Sequence, residues 1–135
     1  MWTTEIVDAG DLDVAEVQAL YRASTLAERR PVEDTERFTG MLRNANLVVT
    51  ARIGERLVGI SRALTDGQYA TYLSDLAVDV EFQRRGIGRD LIRVTREAAP
   101  RARIILLSAP AATGYYPHIG FTRHESAWVL EALSR

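Results

Sequence analysis

Leu73-Ser74-Asp75-Leu76-Ala77-Val78, followed after a four-residue gap by Gln83-Arg84-Arg85-Gly86-Ile87-Gly88, is the stretch whose reading decides the fold. The first half belongs to a strand-like run from Tyr69 to Val80, interrupted by the polar pair Ser74-Asp75, which invites a bulge or bend. The second half opens an amphipathic run, Gly88 to Ala99, in which Leu91, Ile92 and Val94, with Ile87 just before it, are spaced for one buried helix face. A strand that turns through two glycines into a helix is a place where an anion can rest.

The physics of that junction needs no further assumption. The first turn of a helix leaves N–H groups without intrahelical partners, and the aligned peptide dipoles put about half a positive charge there. Gly86 and Gly88 let the chain turn tightly and a ligand approach the backbone, with Arg84 and Arg85 adding side-chain charge. A dinucleotide fingerprint would need a third glycine where Leu91 stands, and a P-loop needs a lysine, which the chain lacks entirely. Two readings fit these residues alone, a pyrophosphate cradle and a plain loop before a solvated, arginine-rich helix.

Working outward, 135 residues suit one uninterrupted domain over 1–135, with no repeat or low-complexity tract. An apolar content of 47%, a charged content of 26% and a net charge of −1 suit a globular protein and give no polyelectrolyte signature for nucleic acid. The N-terminus has no basic start followed by an apolar stretch, and no run approaches the roughly 18 apolar residues that span a bilayer. A cytoplasmic protein that engages neither membrane nor nucleic acid is expected. The absence of cysteine excludes a cysteine nucleophile, and the absence of lysine excludes Schiff-base chemistry. The two histidines, His118 and His124, have no third partner near them in sequence, so no metal site is expected.

Periodicity and turn chemistry predict the remaining elements. A short strand at Glu5 to Val7 precedes a helix capped by Asp11 or Asp13 and running to about Ser24. A loop from Thr25 to Asp34 leads to a short helix at Thr35 to Arg43. Strands at Leu47 to Ile53 and Leu57 to Leu64 form a hairpin. Arg103 to Ser108, with its run Ile104-Ile105-Leu106-Leu107, reads as a strand covered on both faces in a parallel pairing. A helical stretch from Ala111 to about Tyr116, ended by Pro117, precedes a final hairpin at Phe121 to His124 and Ala127 to Leu130. The sum is a mixed α/β fold with helices on both faces of the sheet.

Leu73 to Val78 with Gln83 to Gly88 resembles the core motif of the GNAT superfamily of acetyl-CoA-dependent N-acetyltransferases, a strand ending in Leu-Ala-Val and then Q/R-x-x-G-x-G/A opening a helix. Tyr116-Pro117-His118-Ile119-Gly120-Phe121 resembles the same superfamily's Tyr-x-x-x-Gly-Phe element. The resemblance implies a mostly antiparallel sheet of six to seven strands with a central parallel pair that splays apart. It implies acetyl-CoA as cosubstrate, its pantetheine lying along Leu76, Ala77 and Val78. Its pyrophosphate would rest on the loop and helix start formed by Gln83, Arg84, Arg85, Gly86, Ile87, Gly88 and Arg89, with Tyr116 as general acid near the sulfur. Two departures stand out. The family's cofactor-touching asparagine is Ala109 here, and Pro117 follows the tyrosine directly, where a distorted last turn is expected.

The implied reaction is transfer of an acetyl group to a primary amine by direct attack in a ternary complex. A lysine-like amine has a pKa of about 10.4, so its proton must be removed first. Asp75 is the preferred base because it lies at the expected bend, with Glu81 and, through water, Tyr72 or Ser74 as alternatives. Asp75 acting only as a hydrogen-bond acceptor for irregular backbone is the competing reading. The acceptor pocket is expected from Thr25 to Asp34, with Arg62 and Asp66. Arg29 and Arg30 could draw a carboxylate-bearing acceptor or could simply be solvated. A homodimer is allowed, as are a non-catalytic acyl-CoA-binding regulatory module and an interaction module using the C-terminal hairpin with Trp128.

Overall fold

The computed structural model describes residues 1–134. Five strands, β1 (Thr3–Val7), β2 (Leu47–Ile53), β3 (Arg56–Thr65), β4 (Ala70–Val78) and β5 (Arg103–Ile105), lie side by side in chain order. The first four are antiparallel, and β4 with β5 is the parallel pair. Helices α1 (Val14–Ala23) and α2 (Thr35–Arg43) connect β1 to β2, α3 (Ile87–Ala98) carries the crossover from β4 to β5, and a single turn, α4 (Tyr115–His118), follows. Asp13 and Asp34 cap α1 and α2 by accepting from the N–H groups of Glu16 and Arg37.

Each face of the sheet carries its own apolar cluster. Val17, Leu20 and Tyr21 of α1 and Phe38 and Leu42 of α2 meet Val48, Ile60 and Ala77 on one face. Ile87 and Leu91 of α3 meet Val49, Ala51 and Val58 on the other. Because β2 and β3 are covered twice, they read in sequence as continuous apolar runs rather than alternating ones. β4 alternates, and a bulge sets the phase of that alternation. Arg62 faces Asp75, but its neighbour Ala63 faces Leu73, so Ser74 is the extra residue. The bulge lets Leu73, Leu76 and Val78 share the α3 face while Asp75 and Ala77 turn to α1 and α2. The bend expected at Ser74-Asp75 is therefore present.

The parallel pairing covers only Ala70–Tyr72 against Arg103–Ile105, so β4 continues for six residues, 73 to 78, with no partner on that side among the described residues. The two strands splay as the family resemblance implies. The rest of the implied sheet is corrected: it has five strands among the described residues, not six to seven, and the parallel pair lies at the sheet edge rather than its centre. Phe121 to His124 and Ala127 to Leu130 form no ladder. A hairpin is marginal unless a sheet supports it, and β5 offers only three residues of edge. With nothing laid over β5, Ile105 and Leu107 stay 44% and 51% exposed, so this run is not covered on both faces. Pro117 lies inside α4 without breaking it, because in the first turn of a helix its missing N–H has no intrahelical acceptor to lose.

Leu91→Ala removes a fully buried side chain from the α3 seam and should cost about 2–5 kcal/mol in urea unfolding. Leu107→Ala, at an exposed position, should stay within about 0.5 kcal/mol of the parent. Equal losses in the two variants would contradict this layer assignment.

Candidate active site

β4 leaves the sheet through a single 3-10 turn, Val80–Phe82, that Asp79 caps by accepting from the N–H of Glu81 at 3.0 Å. Two left-handed residues then swing the chain into α3, Arg84 at φ 65° and Gly86 at φ 98°. Gly86 is the N-cap, and having no side chain it leaves the N–H groups of the first turn uncapped; the first intrahelical bond runs from Asp90 N to Gly86 O at 3.0 Å. At Gly88 a Cβ would lie 3.0 Å from the Tyr115 hydroxyl, so glycine keeps that approach open.

A groove of about 670 Å³ runs along this junction. Its wall on β4 is Leu76 and Val78, its floor the loop and helix start from Gln83 and Arg84 through Gly86, Ile87, Gly88 and Arg89, and its far wall Tyr115 and Tyr116. The structure thus brings together most of the residues singled out in the sequence. Two side chains turn elsewhere. Ala77 is buried against the α1 and α2 core, leaving only its backbone on the strand edge. Arg85 donates to Glu81 O at 3.2 Å and lies over the Phe82 ring, with Arg56 also 4.8 Å from that ring's centre. Gln83 is committed as well, its amide donating to Val78 O at 2.9 Å and bracing the turn.

Tyr116 sits across the splay from β4, edge-on to Phe121 with ring centroids 5.3 Å apart, and packs on the cluster of Leu73, Leu76 and Ile92. Burial, with a smaller push from Tyr115, raises its hydroxyl pKa above the ordinary tyrosine value, while Arg30 acts in the opposite sense. The phenol is therefore protonated at neutral pH. Arg30 comes from the loop before α2, so groups from both faces of the sheet meet at the splay. Tyr115 is the more exposed of the two neighbouring tyrosines. It lines the groove, a role for which the sequence carried no signal beyond its position beside Tyr116.

Asp75 is fully enclosed, its side chain 0% exposed. Oδ2 accepts from Arg62 Nε at 2.6 Å and from the Tyr21 hydroxyl at 2.7 Å, while Oδ1 accepts from Arg30 Nε at 2.6 Å. The two guanidiniums also hold the bulge, Arg30 donating to Ser74 O at 2.8 Å and Arg62 to Ser74 Oγ at 2.7 Å. Burial alone would raise the Asp75 pKa, but Arg62, with help from Tyr21 and Arg30, more than offsets that and holds it below the ordinary carboxylate value. A carboxylate whose oxygens are already taken and whose proton affinity is reduced is badly placed to accept a proton from an amine. This geometry favours the competing reading, in which Asp75 organises the irregular backbone. Of the alternatives, Glu81 is paired with Arg56 at 2.9 Å and Ser74 is held by Arg62. Tyr72, 40% exposed, makes no side-chain hydrogen bond among the described residues.

Residues 17–132 match the sequence model of a family described as "Acetyltransferase (GNAT) domain". No curated protein matches the chain in sequence. Among solved structures, the fold is similar to that of a GNAT-family acetyltransferase from Streptococcus pneumoniae TIGR4, at 21% identity and a TM-score of 0.72, covering 98% of this chain and 100% of that one. An aminoglycoside N-acetyltransferase in complex with CoA is similar at 14% identity and a TM-score of 0.73, with 98% and 95% covered. A ribosomal-protein-alanine N-acetyltransferase from Brucella melitensis biovar Abortus 2308 is similar at 19% identity and a TM-score of 0.73, with 98% and 99% covered. At these identities the likeness is one of fold.

Asp75→Asn should cost about 3–5 kcal/mol in denaturant unfolding, because it leaves two guanidiniums around a neutral amide. The Asp75 pKa is lower folded than unfolded, so its contribution is complete above about pH 4 and fades as pH falls through the folded value. The variant should therefore lose part of the parent's acid-side fall in stability. A parallel pair of stability–pH curves would contradict the network.

Proposed function

Because the chain belongs to the GNAT acetyltransferase family, we propose that it is an N-acetyltransferase, one domain that moves an acetyl group from acetyl-CoA to a primary amine in a ternary complex. The observation that carries this reading is the free edge of β4 beyond Tyr72. It leads directly into an uncapped helix start, with a protonated tyrosine facing it across the splay.

Each part has a chemical use. The open edge of β4 from Leu76 to Val78, with Ala77 between them, presents outward the backbone of Leu76 and the N–H of Val78, whose carbonyl Gln83 holds, and suits the amides of pantetheine as an added strand would, while the α3 N-terminus with Arg84 and Arg89 suits the pyrophosphate. An N–H near Leu76 polarises the thioester carbonyl. The amine arrives on the α1 and α2 side, loses its proton to solvent through water at Tyr72, and attacks that carbonyl. The C–N bond forms, the C–S bond breaks, and Tyr116 gives its proton to the departing thiolate. Holding both substrates at the gap supplies the proximity term.

A second reading, an acyl-CoA-binding module without turnover, keeps the groove but gives Tyr116 no task. Exposed Trp128, Leu130 and Leu133, at 91%, 99% and 108%, favour a contact with another chain in addition to either reading.

Acetyl-CoA should raise the melting temperature by several degrees, since a hundredfold excess over Kd adds about 2.7 kcal/mol. Gly86→Val, placing a β-branched residue at φ 98°, should abolish that shift; an unchanged shift would put the phosphates elsewhere. Tyr116→Phe should keep the shift and lower thiol release about 100-fold or more. Unchanged turnover would remove the general-acid role.

A further inference from the structure

The cluster around Asp75 is unbalanced. Among the described residues, Arg30 and Arg62 each have Asp75 as their ion-pair partner, so two positive charges share one negative charge. Arg62, 7% exposed, is the more deeply buried of the two. Arg30 is the surplus. Its side chain is 23% exposed, and three of its five N–H groups are taken, by Asp75, Arg29 O and Ser74 O, leaving two without a protein acceptor. A guanidinium kept partly out of water with an uncompensated charge calls for an anion.

The place of that charge says which anion. Arg30 is bonded at Ser74 and Asp75, the residues immediately before Leu76, and lies close enough to Tyr116 to act on its hydroxyl electrostatically. The groove that suits the cosubstrate lies on the α3 face, whereas Arg30 approaches from the α1 and α2 face. Its guanidinium therefore stands on the face of β4 opposite that groove, beside the residues that precede Leu76.

We propose that the acceptor is a small molecule carrying both a primary amine and a carboxylate, amino-acid-like in its spacing, whose carboxylate binds the free N–H groups of Arg30 while its amine faces Leu76 and Tyr116. This rests on the acetyltransferase reading above. It sets the chain apart from a polycationic acceptor of the aminoglycoside type, which the surplus charge would repel.

The test is thiol release from acetyl-CoA with matched acceptor pairs, free amino acids against their carboxamides, at one pH. The carboxamide has the more readily deprotonated amine, so intrinsic reactivity runs against the expected result. A charge-assisted contact predicts kcat/KM about ten- to a hundredfold higher for the free acid. Arg30→Gln should bring that ratio close to one, and Arg30→Lys should restore part of it. Arg29→Ala, changing an exposed neighbour, should leave the ratio as in the parent. A parent ratio near one, a preference for polycationic amines, or an Arg30→Gln ratio equal to the parent's would overturn the proposal. Binding of acetyl-CoA with no release from any amino acid would overturn the acceptor class and leave the cosubstrate assignment standing. No binding of acetyl-CoA would remove the acetyltransferase reading and this inference with it.

Discussion

The structure depends on how one buried carboxylate is neutralised. Asp75 ties together α1 through Tyr21, the loop before α2 through Arg30, and β3 through Arg62, while Arg62 also donates to Met41 O in α2 at 3.1 Å. A lone charge in that position would not be tolerated, so the bulge at Ser74, the path of the loop and the seating of both helices are constrained together. Burial and the same carboxylate also push the Tyr21 phenol well above its ordinary pKa, so that it remains a donor.

That constraint shapes the site through geometry rather than chemistry. Because the bulge resets the alternation of β4, Leu76 and Val78 face α3 and the groove, while Asp75 and Ala77 face the core. A strand without the extra residue would swap these sets, putting a carboxylate in the groove and a leucine among the arginines. The short β5 then leaves one edge of the far half of β4 without a partner among the described residues, and that free edge leads through the Val80–Phe82 turn to the helix start. An unpaired edge is usually a hazard, and here it is the part of the molecule suited to holding a ligand.

What was legible in the sequence follows from which forces are local. The cap at Asp13, one of the two aspartates that the sequence offered, the α3 stripe of Ile87, Leu91 and Ile92, and the glycine turn at Gly86 are decided by neighbouring residues, and they stand where local pattern put them, whereas the cap at Asp34 is seen only in the fold. The bulge was visible as Ser74-Asp75 inside an apolar run. The partners of Asp75 were not, because Tyr21 and Arg30 lie 54 and 45 positions away and nothing near them marks a buried ion pair. Arg29 and Arg30 looked alike as a loop pair, yet one is exposed and the other is bonded into the core. The C-terminal strands failed for a related reason: apolar residues at Ala127 to Leu130 favour a strand only if an edge receives them.

In the proposed function, the open edge of β4 and the start of α3 form one binding surface for acetyl-CoA. Hydrogen–deuterium exchange with and without acetyl-CoA tests it at the backbone. Slowed exchange is expected in both 73–78 and 84–90, with β1 and β2 unchanged. Protection in only one of those segments, or protection lying elsewhere, would contradict it.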